Sequence, residues 1–278
     1  MNRLAALIVL FPAVAFGWGE TGHQVVCQIA FDELTATAQR EVERLLDLDP
    51  DFESFVESCL FADSPERIRM FDHFMNLPRS RAAVTTADCP MADTCIIPAI
   101  QGETAILQDT ASDDADKLLA IKLLGHWVGD IHQPMHVAFQ DDRGANSISV
   151  DVDLPDANLH AVWDYSILSR NLGDDYRQIA ADLQTTVSDV QRDAWIHDSP
   201  IEWANESYQI TISPSVEYCT LQQGACWYSS DSMMLNDGES WREMAITDEY
   251  LELHGPAVAK RLVQAGVRLG ALLNRVLR

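Results

Sequence analysis

The sequence predicts an all-α, single-domain helical bundle with a short β-ribbon. Apolar residues recur at helical spacing through most of the chain. Val25, Val26, Ile29, Ala30 and Leu34 form one such stripe, and Val258, Leu262, Val263, Leu269, Leu273 and Val276 form another. Strand-like alternation is confined to Ile148, Val150 and Val152, inside an Asp-, Gly- and Asn-rich stretch over 140–156. No repeat, low-complexity linker or break in composition divides the 278 residues, and a hydrophobic content of 47% is enough to fill one large core.

Taken in order, residues 1–17 read as a secretory signal peptide. Arg3 supplies the positive start, Leu4 to Phe16 is an apolar run broken only by Pro12, and Ala15-Phe16-Gly17 puts small residues at the −3 and −1 positions. The run falls short of the ~20 apolar residues that a spanning helix needs. Cleavage after Gly17 is therefore expected, leaving Trp18 at the head of a mature domain over 18–278. That domain is expected to be exported, secreted or periplasmic, and not embedded in a membrane. Thr21 can cap a helix running to about Leu48. Shorter helices are predicted over 52–61 and 64–76, a loop over 77–95, and a helix over 97–110. Asp113 or Asp114 starts a strong helix through Leu118, Ile121, Leu124 and Val128, which Pro134 should kink or end. Helices follow over 157–171, 174–194 and 199–213, then an irregular stretch over 214–246, then the closing amphipathic helix.

The chain carries 43 acidic and 19 basic side chains, a net charge of −24. That sign excludes gripping long duplex DNA by neutralising many phosphates. An anionic substrate would have to be bound locally, with cations reversing the field at the site. The six cysteines (Cys27, Cys59, Cys89, Cys95, Cys219 and Cys226) form no C-x-x-C pair, so disulfides fit an exported chain better than a thiolate zinc site. Short spacing favours Cys89–Cys95 and Cys219–Cys226, which leaves Cys27–Cys59.

Histidine placement carries the chemistry. His126 and Asp130 sit at i and i+4, on one helix face, and His136 follows just past Pro134. His160 and Asp164 repeat the i, i+4 arrangement. Trp18 and His23 lie at the expected mature N-terminus, and Asp63 and His73 bracket another short segment. Neutral imidazole and carboxylate are suitable zinc ligands, and pairs on facing helices are how a bundle builds a metal site. The carboxylates would also offset the charge of several clustered ions.

Trp18-Gly19-Glu20-Thr21-Gly22-His23, Phe61-Ala62-Asp63, the run His126 to His136 (HWVGDIHQPMH) and the segment Asn158 to Asp164 (NLHAVWD) together resemble the single-strand-specific trinuclear-zinc nucleases. This family comprises fungal extracellular and plant bifunctional nucleases and is related to zinc phospholipase C. The resemblance runs in order and spacing from Trp18 to about Asp164. It implies a helical bundle of that type and three zinc ions. The first zinc would take Asp63, His73, His126 and Asp130, and the second His136, His160 and Asp164. The third would take the α-amino nitrogen and carbonyl oxygen of Trp18, with His23 and a bridging Asp130. His132 points to another side of its helix and is read as structural; His197 and His254 belong to no motif.

The resemblance further implies an endonuclease that hydrolyses single-stranded DNA or RNA to 5′-phosphorylated products, with 3′-nucleotidase activity compatible with the same centre. No stable protein partner is implied. Asp63 and Asp130 are the expected catalytic carboxylates. Phe74, Arg67 and Asn146 are the expected substrate contacts, Phe74 by stacking a base. Three positions depart from the family pattern. Glu66 stands where an Arg is common, with Arg67 and Arg69 following; Phe61 replaces a Trp; and Gly144-Ala145-Asn146 replaces Gly-Gly-Asn. The alternatives are a zinc phospholipase C, against which Asp164, the cysteines and Phe74 weigh, and a non-catalytic exported zinc-binding protein that keeps the cage.

Overall fold

The structure, a computed structural model, describes residues 18–65, 67–151, 158–218, 220–222, 225–227 and 242–278. The signal-peptide reading of residues 1–17, Glu66, the Val152 end of the ribbon and Cys219 lie outside the described residues. The pairing proposed for Cys219 therefore does too.

The fold is helical, as the apolar periodicity predicts. The first predicted helix is two: α1 (Glu20–Asp32) and α2 (Ala36–Leu46). The break comes at Thr35, whose extended backbone and side chain cap α2 by accepting from Ala38 N. Thr21 lies inside the first turn of α1, and Gly19 is the cap. The two helices expected over 52–76 shrink to α3 (Phe55–Ser58) and two 3₁₀ turns, Phe61–Asp63 and Met70–His73. Those turns carry Asp63 and His73. After the predicted loop come α4 (Ile96–Gln108) and α5 (Asp114–His132), the latter capped by Asp113. Pro134 ends α5 as expected and opens a 3₁₀ turn to His136.

The ribbon exists but is not a local hairpin. Strand β1 (Ile148–Asp151) pairs in parallel with β4 (Arg242–Ala245), Ile148 opposite Arg242. Between them lie α6 (Leu159–Ala161), a π-helical turn over Val162–Ser166, α7 (Ile167–Leu172), α8 (Tyr176–Thr185), α9 (Asp189–Trp195) and α10 (Pro200–Thr211). The antiparallel strands β2 (Thr220–Gln222) and β3 (Ala225–Trp227) follow. The closing helix α11 (Asp248–Val276) packs along α1, α5 and α7.

α5 is the axial element. Every residue from Ala120 to His132 is buried, so its polar members need partners inside the protein. Lys122 pairs with Asp49 at 2.7 Å. The C-terminal end is anchored on α11. Arg268 donates to His132 Nε2 at 3.0 Å and to Glu206 at 2.6 Å, and Arg261 donates to the His132 carbonyl at 3.2 Å. His132 Nδ1–H in turn donates to the Val128 carbonyl at 2.7 Å. His132 thus braces the helix end and faces away from the other histidines of its motif. Among the described residues two disulfides are present, Cys27–Cys59 and Cys89–Cys95. The first ties α1 to the turn that precedes Asp63. Among the described residues, no helix is long and apolar enough to cross a membrane.

Candidate metal centre

Helix α5, the two 3₁₀ turns on one side of it, the Pro134 turn at its end and the α6/π-turn segment bring the predicted residues together. His126 and Asp130, one turn apart on α5, meet His73 and Asp63. His126 Nε2 lies 3.2 Å from His73 Nδ1, 3.3 Å from Asp130 Oδ2 and 3.6 Å from Asp63 Oδ1. His73 Nδ1 lies 3.0 Å from Asp130 Oδ2 and 3.8 Å from Asp63 Oδ1. The other oxygen of Asp130, Oδ1, faces His23 Nε2 at 3.3 Å. A second group forms where His160 Nε2 meets His136 Nε2 at 3.2 Å and Asp164 Oδ2 at 3.6 Å.

In four of these histidines a main-chain carbonyl fixes the far ring nitrogen. His126 Nδ1–H donates to Cys59 O at 2.8 Å, His73 Nε2–H to Ile68 O at 3.0 Å, His136 Nδ1–H to His73 O at 2.6 Å and His160 Nδ1–H to Gly144 O at 2.6 Å. With that nitrogen carrying the proton, the other presents a lone pair to the site. Two pairs of lone pairs then confront each other at 3.2 Å, an arrangement that repels unless a cation lies between them. Ligands at about 2.0–2.1 Å in a tetrahedron stand about 3.3 Å apart, and the spacings above centre on that value. His23 Nε2, Asp63 Oδ1, Asp130 Oδ1 and Asp164 Oδ2 are buried without a hydrogen bond, a costly state for polar atoms unless something else satisfies them. The donor set fits metal ions: His73, His126 and Asp130 form one candidate group, His23, Asp63 and His126 a second, and His136, His160 and Asp164 a third.

Burial sets protonation in the same direction at three of the histidines, whereas at His126 burial is outweighed by the Asp130 carboxylate and the imidazole is held above its ordinary range. Burial pulls His23, His136 and His160 below their ordinary range, His160 to about 4, so these imidazoles are neutral at neutral pH, as ligation requires. Burial pushes Asp164 well above the carboxylate range, only partly offset by the amide of Gln133 donating to Oδ1 at 2.5 Å. For Asp130 burial acts the same way but is outweighed by His126, with hydrogen bonding from His126 and His23, and the carboxyl is held well below its usual range.

Two glycines make the packing possible. A Cβ on Gly129 would stand 2.8 Å from His23 Nδ1, so α5 admits the His23 ring only at a residue without a side chain. Gly144, at φ +67, would put a Cβ 2.8 Å from the Met135 carbonyl. Ala145 follows in the same left-handed region at φ 66, where the family pattern has a second glycine.

The substrate candidates are placed unequally. Arg67 lies at the centre, its Nε 3.2 Å from Asp63 Oδ1 and its guanidinium 3.5 Å from His73 Nδ1. Phe74 is half-buried, edge-on to Phe71 with ring centroids 6.1 Å apart. Asn146 turns its amide back to the Arg143 carbonyl at 2.8 Å and so braces the turn under His160. Trp18 is fully buried; its Cβ would be 2.8 Å from a Cβ placed on Gly22. Gln133, Gly129 and Tyr165 went unread in the sequence. The first two sit inside the His126–His136 run, and Tyr165 adjoins Asp164, so adjacency to a ligand was the available signal. His197 is exposed and His254 buried against the Ser215 carbonyl, away from the centre.

A sequence profile described as S1/P1 nuclease matches residues 18–278. Among curated relatives, "Endonuclease 2" of Arabidopsis thaliana is 30% identical over 94% of this chain and 90% of its own length. "Endonuclease 1" of the same plant is 31% identical over 98% and 91%. "Nuclease S1" of Aspergillus oryzae is 26% identical over 98% and 96%. The matches span the whole of the His/Asp constellation, and the chain belongs to the S1/P1 nuclease family.

Proposed function

We propose that this protein, a hydrolase of phosphodiester bonds, is a zinc-dependent endonuclease of single-stranded DNA and RNA that leaves 5′-phosphorylated products. The observation that carries the reading is the confrontation of imidazole lone pairs at 3.2 Å, each ring locked from behind by a carbonyl. Asp63, His73, His126 and Asp130 would hold one zinc, and His136, His160 and Asp164 a second. His23, Asp130 and the amino nitrogen and carbonyl of Trp18 would hold a third. Zinc bound there would supply a nucleophile at neutral pH and stabilise charge on the phosphoryl group. The protein's own part is positioning. Asp63, in contact with Arg67, orients the attacking water and takes its proton at Oδ2, leaving Oδ1 to the ligand group it faces. The Arg67 guanidinium, the cation nearest the cluster, receives a non-bridging phosphate oxygen. Asp130 presents one oxygen to each of two ligand groups and keeps them in register. Phe74 offers a ring to an unstacked base, which a paired strand does not present. Cleavage of the bond to the 3′-oxygen leaves the phosphate on the 5′ side.

Export of the chain is part of the same proposal. Residues 1–17 would be removed, and the two disulfides support an oxidising destination. The test is elemental analysis of the processed protein with digestion of matched single- and double-stranded DNA. Three zinc ions, loss of activity on chelation, recovery with zinc and 5′-phosphate ends on single-stranded products are expected. One zinc or none, or equal rates on the two substrates, would overturn it.

A further inference from the structure

The π-helical turn Val162–Ser166 does more than carry Asp164. A π turn widens the helix at one point and is frequent at functional sites. Asp164 is buried and faces His160, while the next residue, Tyr165, is 42% exposed. Tyr165 lines a cleft of about 250 Å³ together with Glu20, His23, Leu60, Asp63 and Ser64. Two of those residues, His23 and Asp63, belong to the metal-ligand cluster, so the cleft opens directly onto the candidate centre. Its volume is below the ~300–1,000 Å³ of pockets that enclose a whole small ligand, and suits part of one.

The ring is held in place. It lies against the backbone of Gly19, where any Cβ would come within 1.9 Å of the ring carbon Cε1. Gly19 N donates to the Asp164 carbonyl at 3.2 Å, joining the N-terminal segment to the π turn. A broad, partly exposed aromatic face fixed beside a phosphoryl-transfer centre, with Leu60 as a second apolar wall, matches a nucleobase.

We infer that the Tyr165 cleft is a nucleobase subsite, holding by stacking the base on the side of the scissile phosphate not served by Phe74. Phe74 adjoins His73 and packs on Phe71, whereas Tyr165 stands with His23 at the N-terminal end of α1. The inference rests on the nuclease reading above. It assigns the enzyme at least a dinucleotide footprint, with one base platform on each side of the phosphate.

The test uses the processed, zinc-loaded enzyme and three substrates: a dinucleoside monophosphate and its two analogues, each lacking one of the two bases. Base stacking on a protein aromatic predicts that Tyr165→Leu raises KM on the intact substrate about 5- to 150-fold. The same variant leaves KM unchanged on one analogue only, and its zinc content equals that of the parent. Phe74→Ala shows the complementary pattern, sparing the other analogue. Tyr165→Phe, which keeps the ring, retains the parental KM. Equal KM for Tyr165→Leu and parent on the intact substrate, or the same rise on all three, overturns the subsite. Failure of the parental enzyme to cleave any of the three, with zinc bound, instead overturns the nuclease reading, and the subsite falls with it.

Discussion

Replacing Gly129 by alanine should separate stability from activity. Alanine in a helix interior is favoured over glycine by about 0.8–1.0 kcal/mol, and Gly129 lies well inside α5. The added Cβ would meet His23 Nδ1 at 2.8 Å and Cε1 at 3.1 Å. Ordinary contact between such atoms is about 3.5 Å, so the ring must retreat by roughly half an ångström. One face of that ring is already stacked on His126, centroids 3.9 Å apart. The displacement therefore falls on the 3.3 Å approach of His23 Nε2 to Asp130 Oδ1. Misplacement by about 1 Å at a catalytic centre costs on the order of 100-fold; half of that gives a loss in kcat of about 10-fold, with weakened binding of one zinc. An overpacking cost of about 1–3 kcal/mol is only partly offset by the propensity gain, leaving a net loss of about 0–2 kcal/mol. Gly102→Ala is the control: nothing lies within 4 Å of its Cβ position in α4, so it should gain the full propensity term. That raises the melting temperature by about 2–4 °C with unchanged kcat. Thermal unfolding, zinc content and kcat are measured on both variants. A Gly129→Ala enzyme with parental kcat and full zinc would show that His23 does not serve the centre.

Three further outcomes follow from the geometry. Asp130→Asn should lose more activity and more zinc than Asp164→Asn, because Asp130 faces ligand groups with both oxygens while Asp164 spends Oδ1 on Gln133; equal small losses would contradict the bridging role. One extra residue ahead of Trp18 converts its amine to an amide, whose lone pair is delocalised, and should remove one zinc and most activity; parental zinc content and rate would show that the terminus is no ligand. Burial holds His254 below its ordinary 6.5, so the unfolded chain binds that proton more readily than the folded one. Its contribution to stability is complete above about pH 6.5 and is lost as pH falls further. His254→Gln should therefore show a shallower loss of melting temperature than the parent between about pH 7 and 5, and identical slopes would refute the assignment.

The residues that converge on the candidate centre were legible because the chemistry leaves a local signature. An i, i+4 His/Asp pair needs only helical geometry, and α5 supplies it at His126 and Asp130. The fold class was legible for the same reason, since apolar stripes at Val25–Leu34 and Val258–Val276 report burial directly. Boundaries set by single side chains were not. Thr35 breaks the first helix through one capping bond, and that residue type is common without such a role. The partner of β1 was out of reach, because Ile148 pairs with Arg242 across most of the C-terminal half of the chain. Nothing in the alternation of Ile148 and Val150 encodes which strand lies alongside. Gly129 and Gly144 were invisible as site residues because their contribution is the side chain they lack. Tyr165 was missed because a helical reading turns it about 100° away from Asp164, and nothing in the sequence marks the cleft that it lines with His23 and Asp63.

The braces behind the histidines come from four separate places in the chain: Cys59, Ile68, His73 and Gly144. None is a side chain, so no substitution at those positions removes an acceptor directly; only a shift in the backbone does. At Cys59 that backbone is held covalently. Its sulfur is joined to Cys27 on α1, the helix that carries His23, while its carbonyl accepts from His126. The same sulfur would stand 2.3 Å from a Cβ on Gly125, one residue before His126, so the disulfide is packed directly on α5. One crosslink thus fixes the spacing among three strips of chain that each contribute to the candidate centre: α1 with His23, the turn leading to Asp63, and α5 with His126 and Asp130. In a cluster whose lone pairs repel one another, positional restraint of this kind keeps the ligands converged before a cation arrives. The geometry is consequently a property of the oxidised, folded chain, and ions bound as proposed would fill it rather than create it.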